Sequence, residues 1–186
     1  LVGSEMCIRD RYIWESPSSS IEGVEFLRKK IKDYDGVIAV GSGTVSDSIK
    51  YATFLEKKSY SVFATTPMNA YTTGTASISF EGIKKSLVAH YAQGVFFDLE
   101  VLSMCPKRLT AAAFADVICR TTAQVDWLMS HKILKTDYQT APYSLLALYE
   151  KDMIESASLI AKGNIEALAL LTRCLLYTSP SPRDVG

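Results

Sequence analysis

The stretch Val37–Lys50, VIAVGSGTVSDSIK, decides the fold. Residues 36 to 40 form a short, continuous apolar run, which is typical of a strand buried in a parallel sheet. A glycine, a serine and a second glycine follow at once, and we expect a helix from about Thr44 to Glu56. Glycines let the backbone turn sharply and let a phosphate approach it, and a helix N-terminus offers unpaired N–H groups. The stretch therefore predicts a strand, a turn and a helix that together could cradle a diphosphate.

An ordinary tight turn between a strand and a helix is the alternative interpretation of this stretch. Thr44 and Asp47 have the spacing of a capping box, which would serve the helix alone. The phosphate-loop pattern GxxxxGKS/T is absent, and Ser46 stands where GxGxxG has its third glycine. The stretch by itself leaves both interpretations open.

Strands and helices alternate around this stretch. Tyr12–Trp14 has the pattern of the end of a strand, and Ser20 has the type and position of an N-cap for a helix that runs to about Lys32. Tyr60–Thr65 is predicted to be another strand. Because strands and helices alternate in this way, the pattern predicts an α/β fold with a parallel sheet.

The chain changes character near residues 102 to 106. Before that point we expect antiparallel strands at Ala76–Phe80 and Ser86–His90 around a turn at 81–85, and a last strand at Gly94–Asp98. From Pro106 onward the pattern is helical. We expect one or two helices within Leu109–Leu134, one over Pro142–Lys162, and one from Asn164 to Arg173. The prediction is an α/β domain at residues 12–102 and a helical domain at residues 103–173, both partial.

Both ends of the chain look foreign to these domains. One DNA sequence that can encode Leu1–Arg11 has a reverse complement that encodes Cys174–Arg183 in another frame. Such a pair resembles translated read-through of a transposon-type sequencing adaptor. We therefore expect residues 1–11 and 174–186 to be adaptor-like additions to an interior window of a longer protein. In such a window the helices that normally pack against the end of the chain would be missing, so we expect Ala161, Leu168, Leu170 and Leu171 to be exposed and to favour aggregation.

The composition is that of a globular protein. The 186 residues include 20 Lys+Arg and 20 Asp+Glu, and 48% are hydrophobic. A neutral chain has no electrostatic reason to bind nucleic acid or an anionic membrane, and no apolar run approaches the roughly 18–20 residues of a membrane span. Cys105 and Cys119 lack metal-binding spacing, so we expect reduced, buried thiols in a cytoplasmic protein.

Two polar features lie where a ligand could bind. The loop Thr65–Thr73 follows a predicted strand, and ligands of open α/β sheets bind beyond the carboxyl ends of strands. Asp116 stands among apolar residues of a predicted helix, where a buried carboxylate needs a partner such as a metal ion. An ordinary turn-rich loop and a solvent-facing Asp116 are the alternatives. His90 and His131 form no ligand pair with Asp116 and are interpreted as structural.

These features, in this order, resemble the glycerol-1-phosphate dehydrogenase branch of the iron-containing alcohol dehydrogenase and dehydroquinate synthase-like superfamily. The resemblance extends over Ser20–Arg173 and is most specific in AVGSGTVSDSIKYATF, TTPMNAYTT, GVFFDLEVLSMCPKRLTAAAFADVICR and TAQVDWLMSH. The superfamily pattern Gly-x-Gly-Ser/Thr-x-x-Asp-x-x-Lys is met by Gly41, Gly43, Thr44, Asp47 and Lys50. The resemblance implies a Rossmann-like N-terminal domain, an all-helical C-terminal domain, and a site in the cleft between them.

The resemblance also implies an activity, the reversible transfer of a hydride between dihydroxyacetone phosphate and sn-glycerol 1-phosphate. The cofactors would be NAD or NADP and a divalent metal, namely Zn, Ni or Fe. Asn69 and Asp116 would contact this small phosphorylated polyol, and Asp116 would also ligate the metal as the catalytic residue. Two histidine ligands of the family have no counterpart in this chain. The residues that would bind NAD(P) are Gly41, Gly43, Thr44, Val45, Ser46, Asp47, Thr65, Thr66 and Thr73.

A homo-oligomer and a part in phospholipid biosynthesis are further implications of the resemblance. Three alternatives stay open for the function. The protein could be another polyol or alcohol dehydrogenase of the same superfamily, or a lyase similar to dehydroquinate synthase. The third is a nucleotide-binding piece without catalysis, which is what we expect of the 186-residue chain on its own.

Overall fold

The structure is a computed structural model that describes residues 11 to 177, apart from the side chains at positions 142, 143, 145, 146 and 177. Strands β1 (Gly36–Gly41) and β2 (Ser59–Ala64) are parallel, with Gly36 beside Ser59 and Gly41 beside Ala64. Strand β5 (Val95–Phe97) pairs in parallel with the other edge of β2, so the sheet order is β1-β2-β5. The expected α/β architecture is confirmed.

Helices α1 (Ile21–Ile31) and α2 (Gly43–Leu55) form the layer beside this sheet. Helix α1 begins as expected, because the Ser20 hydroxyl accepts a hydrogen bond from the Gly23 N–H at 3.2 Å. Helix α2 packs against β1 and β2, and α1 packs against α2. The buried apolar residues of this layer are Val24, Leu27, Ile31, Ala39, Ile49, Ala52, Tyr60, Val62, Ala64, Tyr71, Ala76 and Ile78.

The other face of the sheet is open among residues 11 to 177. Ile38 is 69% exposed, Val40 is 61% exposed and Phe96 is 57% exposed. Side chains of a strand alternate between the two faces, so Ala39 of β1 is buried in the core and Val37 packs against it from the same face. The strand expected at 36–40 is present, but the expectation that it is buried was wrong for the side chains on this open face.

A separate hairpin follows the sheet in the chain. Strands β3 (Thr75–Phe80) and β4 (Ile83–Val88) are antiparallel, as expected, but the turn is shorter than 81–85. Glu81 and Gly82 form it with φ angles of 49° and 81°, which suit a two-residue hairpin turn. Residues 12 to 14 form no strand, so that prediction was wrong. The Ser79 N–H of β3 instead bonds the Ser19 carbonyl at 2.7 Å.

The rest of the described chain is helical. The helices are α3 (Leu99–Ser103), α4 (Lys107–Ile118), α5 (Arg120–Leu134), α6 (Ala141–Glu155), α7 (Ala157–Ala161) and α8 (Ile165–Tyr177), so the helical part starts before Pro106. Leu168 and Leu171 are fully buried against residues of α4 and α6, and Leu170 is partly buried with them, so the expected exposure was wrong for these three residues. Ala161 is exposed, as expected. Of the stretches interpreted as adaptor-like, residues 174 to 177 belong to α8, while 1–10 and 178–186 lie outside the described residues.

The three cysteines of the described chain are free. Cys105 and Cys174 are buried, whereas Cys119 lies between α4 and α5 and is exposed, so the expectation of a buried Cys119 was wrong. No helix among residues 11 to 177 is both long enough and apolar enough to span a bilayer.

Candidate functional site

A cleft of about 510 Å³ lies between the α/β layer and helix α4. Its walls are the start of α2, the loop that follows β2, the hairpin and one side of α4. Six predicted site residues line it, namely Gly43, Thr44, Asp47, Thr66, Asn69 and Asp116. The structure therefore brings together residues from three separate segments of the chain. Gly41, Val45, Ser46, Thr65 and Thr73 are predicted site residues that do not line this cleft.

Helix α2 points its first turn at the cleft. Ser42 is the N-cap, but its side chain caps no N–H group, and the first-turn N–H groups have no partner within the helix. A Cβ at Gly43 would stand 2.7 Å from Met68 Cε, so this position is closely packed from the loop side. The capping box between Thr44 and Asp47 does not form, because the helix starts at Gly43 and the Asp47 carboxylate bonds elsewhere.

Asp47 is a buried carboxylate at the wall of the cleft. The residue is 9% exposed, and its Oδ2 accepts a hydrogen bond from the Ser77 N–H of β3 at 3.3 Å. Its Oδ1 is buried and accepts no hydrogen bond, although Lys50 Nζ lies 3.7 Å away. Burial raises the pKa of Asp47 above its usual value, and the charge of Lys50 opposes that rise. The site thus holds an acceptor oxygen that no hydrogen-bond donor satisfies.

Lys50 is a functional candidate to which sequence reasoning gave no role. Its side chain is completely buried on α2, and its ammonium group donates to Ala70 O at 2.6 Å, Thr75 O at 2.9 Å and Thr73 Oγ1 at 3.2 Å. The sequence could have indicated its burial, because Lys50 lies one turn after Asp47 on a helix that packs against the sheet. Thr73, which the resemblance assigned to the cofactor, thus contacts Lys50 beneath the cleft.

The loop after β2 is braced from below by threonine and tyrosine hydroxyls. Thr66 Oγ1 and the Tyr71 hydroxyl are 2.9 Å apart, and the Tyr71 hydroxyl lies 3.2 Å from the Gly41 carbonyl. The Thr65 N–H donates to the same Gly41 carbonyl at 3.2 Å. Burial raises the pKa of Tyr71 to about 12, so its hydroxyl stays protonated. A single 3-10 turn, Asn69–Thr72, carries Asn69 at the cleft.

Asp116 faces the cleft from α4. Its side chain is 43% exposed, and Arg120 Nη2 lies 3.6 Å from its Oδ2. No group of three metal-ligating side chains occurs among residues 11 to 177. His90 Nε2 lies 3.0 Å from Thr53 Oγ1, and His131 Nδ1 lies 2.6 Å from the Thr136 carbonyl, so both histidines are held away from this cleft. One carboxylate does not make a metal centre.

Lys84 is the second residue that sequence reasoning missed. In the part of the chain that the structure describes, it is the one basic residue on the cleft lining. It lies on β4 opposite Ser79 of β3. Its neighbour Lys85 places Nζ 5.6 Å from the centre of the Phe80 ring. Consecutive residues of a strand point to opposite faces, so the sequence could have indicated that only one of Lys84 and Lys85 faces the cleft.

Comparison with known proteins gives a consistent family. A family model described as iron-containing alcohol dehydrogenase matches residues 4–106, more than half of the chain. A glycerol-1-phosphate dehydrogenase (NAD(P)+) of Pyrococcus abyssi is 33% identical over 181 residues, which are 95% of this chain and 52% of the relative. The enzyme of that name from Geobacillus thermodenitrificans is 29% identical over 156 residues, 83% of this chain and 39% of the relative. The chain thus spans about half the length of these relatives.

Solved structures agree on the fold. A probable glycerol dehydrogenase from Sinorhizobium meliloti superposes with a TM-score of 0.75 at 17% identity, over 94% of this chain and 53% of that chain. The glycerol dehydrogenase of Schizosaccharomyces pombe superposes with a TM-score of 0.74 at 18% identity, over 94% of this chain and 47% of that chain. Identities this low establish the shared architecture and leave the substrate to the site itself.

Proposed function

The chain belongs to the iron-containing alcohol dehydrogenase family, and we propose that it contributes the cofactor cleft of an NAD(P)-dependent glycerol-1-phosphate dehydrogenase. The reaction would be the reversible oxidation of sn-glycerol 1-phosphate to dihydroxyacetone phosphate. The observation that carries this proposal is the 33% identity to a glycerol-1-phosphate dehydrogenase over 95% of the chain. When bound, NAD(P)+ accepts the hydride that leaves the alcohol carbon, while the hydroxyl proton is released.

The start of helix α2 fits a diphosphate. Its first-turn N–H groups lack partners within the helix, its dipole presents positive charge there, and Gly43 adds no side chain. A ligand phosphate would therefore be held by the backbone of residues 43 to 45. Thr44 lines the cleft next to this turn and would supply a hydroxyl contact.

Asp47 fits the uncharged part of such a ligand. Its Oδ1 is buried at the cleft without a hydrogen bond, and a ligand hydroxyl or amide N–H would satisfy it. A phosphate would be repelled by this carboxylate. Asp47 would therefore bind a sugar hydroxyl or an amide group beside the diphosphate, and it would discriminate against ligands without such a donor.

The substrate would bind between Asn69 and Asp116, which line the cleft on the loop wall and the helix wall. An amide such as Asn69 can donate to one substrate oxygen and accept from a hydroxyl. Asp116 would accept a hydrogen bond from a second hydroxyl. A catalytic metal does not fit the residues 11 to 177 alone, because they offer one carboxylate at the cleft and no cluster of three ligands. A zinc, nickel or iron ion would need further ligands.

The wider setting follows from the proposed product. A glycerol phosphate is a backbone unit for phospholipid biosynthesis, and the three free cysteines of the described chain suit a reducing cytoplasm. A homo-oligomer remains part of the proposal. Size-exclusion chromatography coupled to light scattering tests it, and a monomer at micromolar concentration would contradict it.

The proposed activity is tested with the full-length gene product. NADH and NADPH oxidation is measured with dihydroxyacetone phosphate, with dihydroxyacetone, and with other ketones and aldehydes that lack a phosphate. We expect the highest kcat/KM for dihydroxyacetone phosphate. A preference for an unphosphorylated compound would instead favour another polyol or alcohol dehydrogenase. The absence of oxidation with every compound would overturn both assignments.

The 186-residue chain alone provides a second test. We expect it to bind NAD(P)H without catalysing hydride transfer, because its cleft holds a single metal-ligating carboxylate. Titration of NADPH fluorescence measures the binding, and a turnover assay with added Zn²⁺, Ni²⁺ or Fe²⁺ measures catalysis. Metal-dependent turnover by this chain would contradict the assignment of its role.

A further inference from the structure

We propose that Lys50 is a positioning residue that sets the geometry of the cleft by fastening the segment Ala70–Thr75 onto helix α2. Asn69 directly precedes this segment on the loop wall, and Gly43 and Thr44 stand at the start of the same helix. Lys50 would thereby fix the distance between the wall that receives the substrate and the turn that receives the phosphate. The kinetic part of the proposal rests on the proposed function, whereas its structural part does not.

The contacts of the ammonium group converge on one short segment. Nζ lies 2.6 Å from the Ala70 carbonyl, 2.9 Å from the Thr75 carbonyl and 3.2 Å from Thr73 Oγ1. A lysine ammonium has three protons, and these three acceptors can use all of them. Both ends of the segment are therefore tied to one atom of α2. Thr73 Oγ1 in turn lies 3.1 Å from the Ala70 carbonyl, which closes the segment on itself.

The burial of Lys50 supports a positional role. The side chain has no exposed surface, and removing a charged amine from water is costly unless polar groups surround it. An apolar side chain of similar length would fill the same space without that cost, and buried ionic groups often contribute little net stability. What the apolar side chain could not do is bind two carbonyls and a hydroxyl of the loop. What distinguishes Lys50 from such an apolar side chain is therefore that it fixes the position of the loop.

Lys50 also acts on Asp47. Its Nζ lies 3.7 Å from Asp47 Oδ1, whereas the three acceptors of the loop lie within 3.2 Å of the same nitrogen. The positive charge stabilises the carboxylate electrostatically while leaving Oδ1 open to a ligand donor. A single buried lysine therefore holds both the loop wall and the unsatisfied acceptor in place.

Thr53 provides a matched control on the same helix. It lies one turn after Lys50 and is equally buried, but its hydroxyl bonds the Ile49 carbonyl at 2.7 Å and the Lys50 carbonyl at 3.1 Å within α2, and it lies 3.0 Å from His90 Nε2. None of these three partners belongs to the segment Ala70–Thr75. Thr53→Val therefore removes a buried polar group of α2 without releasing the segment Ala70–Thr75.

The test compares Lys50→Met, Lys50→Arg and Thr53→Val in the full-length gene product. Hydrogen exchange of peptides over residues 66–76 is measured first, because it needs no substrate. We expect faster exchange there in Lys50→Met and not in Thr53→Val. A loop displaced by about 1 Å should lower kcat/KM for dihydroxyacetone phosphate about 100-fold in Lys50→Met. Thr53→Val should keep kcat/KM within about twofold, since it leaves the loop in place.

The outcomes separate this proposal from the proposed function. Exchange over 66–76 in Lys50→Met that equals exchange in Thr53→Val would overturn the positional role, as would matched kcat/KM values. Faster exchange in a protein without dehydrogenase activity would support the positional role and overturn the function. If Lys50→Met does not fold, Lys50→Arg serves instead, because it keeps the charge but cannot place one nitrogen against all three acceptors.

Discussion

Gly43 offers a prediction in which packing and ligand binding can be separated. An added Cβ would stand 2.7 Å from Met68 Cε and 2.9 Å from Met68 Sδ, whereas ordinary van der Waals contact begins near 3.4 Å. Gly43→Ala must therefore push the end of the Met68 side chain aside by a fraction of an ångström to about 1 Å. A methionine end is flexible, so the cost in folding free energy should be about 1 kcal/mol, at the low end for an overpacked site.

The effect of Gly43→Ala on ligand binding should be larger than its effect on folding. The methyl group would occupy the first turn of α2, where a phosphate has to approach the backbone closely. We expect at least about tenfold weaker NAD(P)H binding, which corresponds to about 1.4 kcal/mol. Fluorescence titration of the full-length gene product gives the dissociation constant, and thermal unfolding without ligand gives the stability.

Met68→Ala makes this a double-mutant cycle. In the Met68→Ala background the clash is removed, so Gly43→Ala should no longer lower the melting temperature. The loss of affinity should persist, because it arises from the methyl group at the phosphate. Full recovery of affinity in the double variant would refute this reasoning, since the effect would then have acted through Met68. Unchanged affinity in Gly43→Ala alone would refute the assignment of the phosphate to this turn.

Three further predictions concern other parts of the chain. Lys84→Ala should weaken binding of a phosphorylated ligand about tenfold in calorimetric titration, because a favourable charge at the cleft is lost. The control Lys85→Ala removes the lysine at the Phe80 ring and should have little effect. Equal effects of the two variants would contradict the placement of Lys84 at the cleft. Leu171→Ala should destabilise the helical core by about 2–5 kcal/mol in urea unfolding, because a completely buried side chain leaves a cavity, and a loss below about 1 kcal/mol would contradict the packing. Burial lowers the pKa of His90 below 6.5, so the folded state binds the His90 proton less tightly than the unfolded state does. The resulting contribution to the free energy of unfolding is present above pH 6.5 and is lost as the pH falls towards the lower pKa. In unfolding measurements across this range, His90→Gln should reduce the change of the free energy of unfolding with pH, and the control His131→Gln should retain it.

The sequence was sufficient for elements that depend on neighbouring residues. Helix α1 could be predicted because Ser20 caps the Gly23 N–H three residues away. The hairpin could be predicted because a turn separates two short strands, although the turn comprises only Glu81 and Gly82 and not all of 81–85. Parts of the cleft could be predicted for a related reason. Parallel strands end at one edge of a sheet, so the turn after β1 and the loop after β2 had to lie side by side.

Contacts between distant segments required the tertiary structure. The apolar run of β1 contains Ile38 and Val40, which are exposed because helix α2 packs on the opposite face of the strand. The sequence placed Lys50 in a family pattern but indicated no contact for its side chain, whereas the structure places its ammonium group against three acceptors 20 to 25 residues further along the chain. Local hydrogen bonding and hydrophobic periodicity depend on residues that are close together in the chain. The order of strands, turns and helices therefore follows from the sequence alone. Burial and pairing depend on which distant segments pack together. For that reason only the tertiary structure decided which lysine is buried beneath the cleft and which oxygen of Asp47 is left for a ligand.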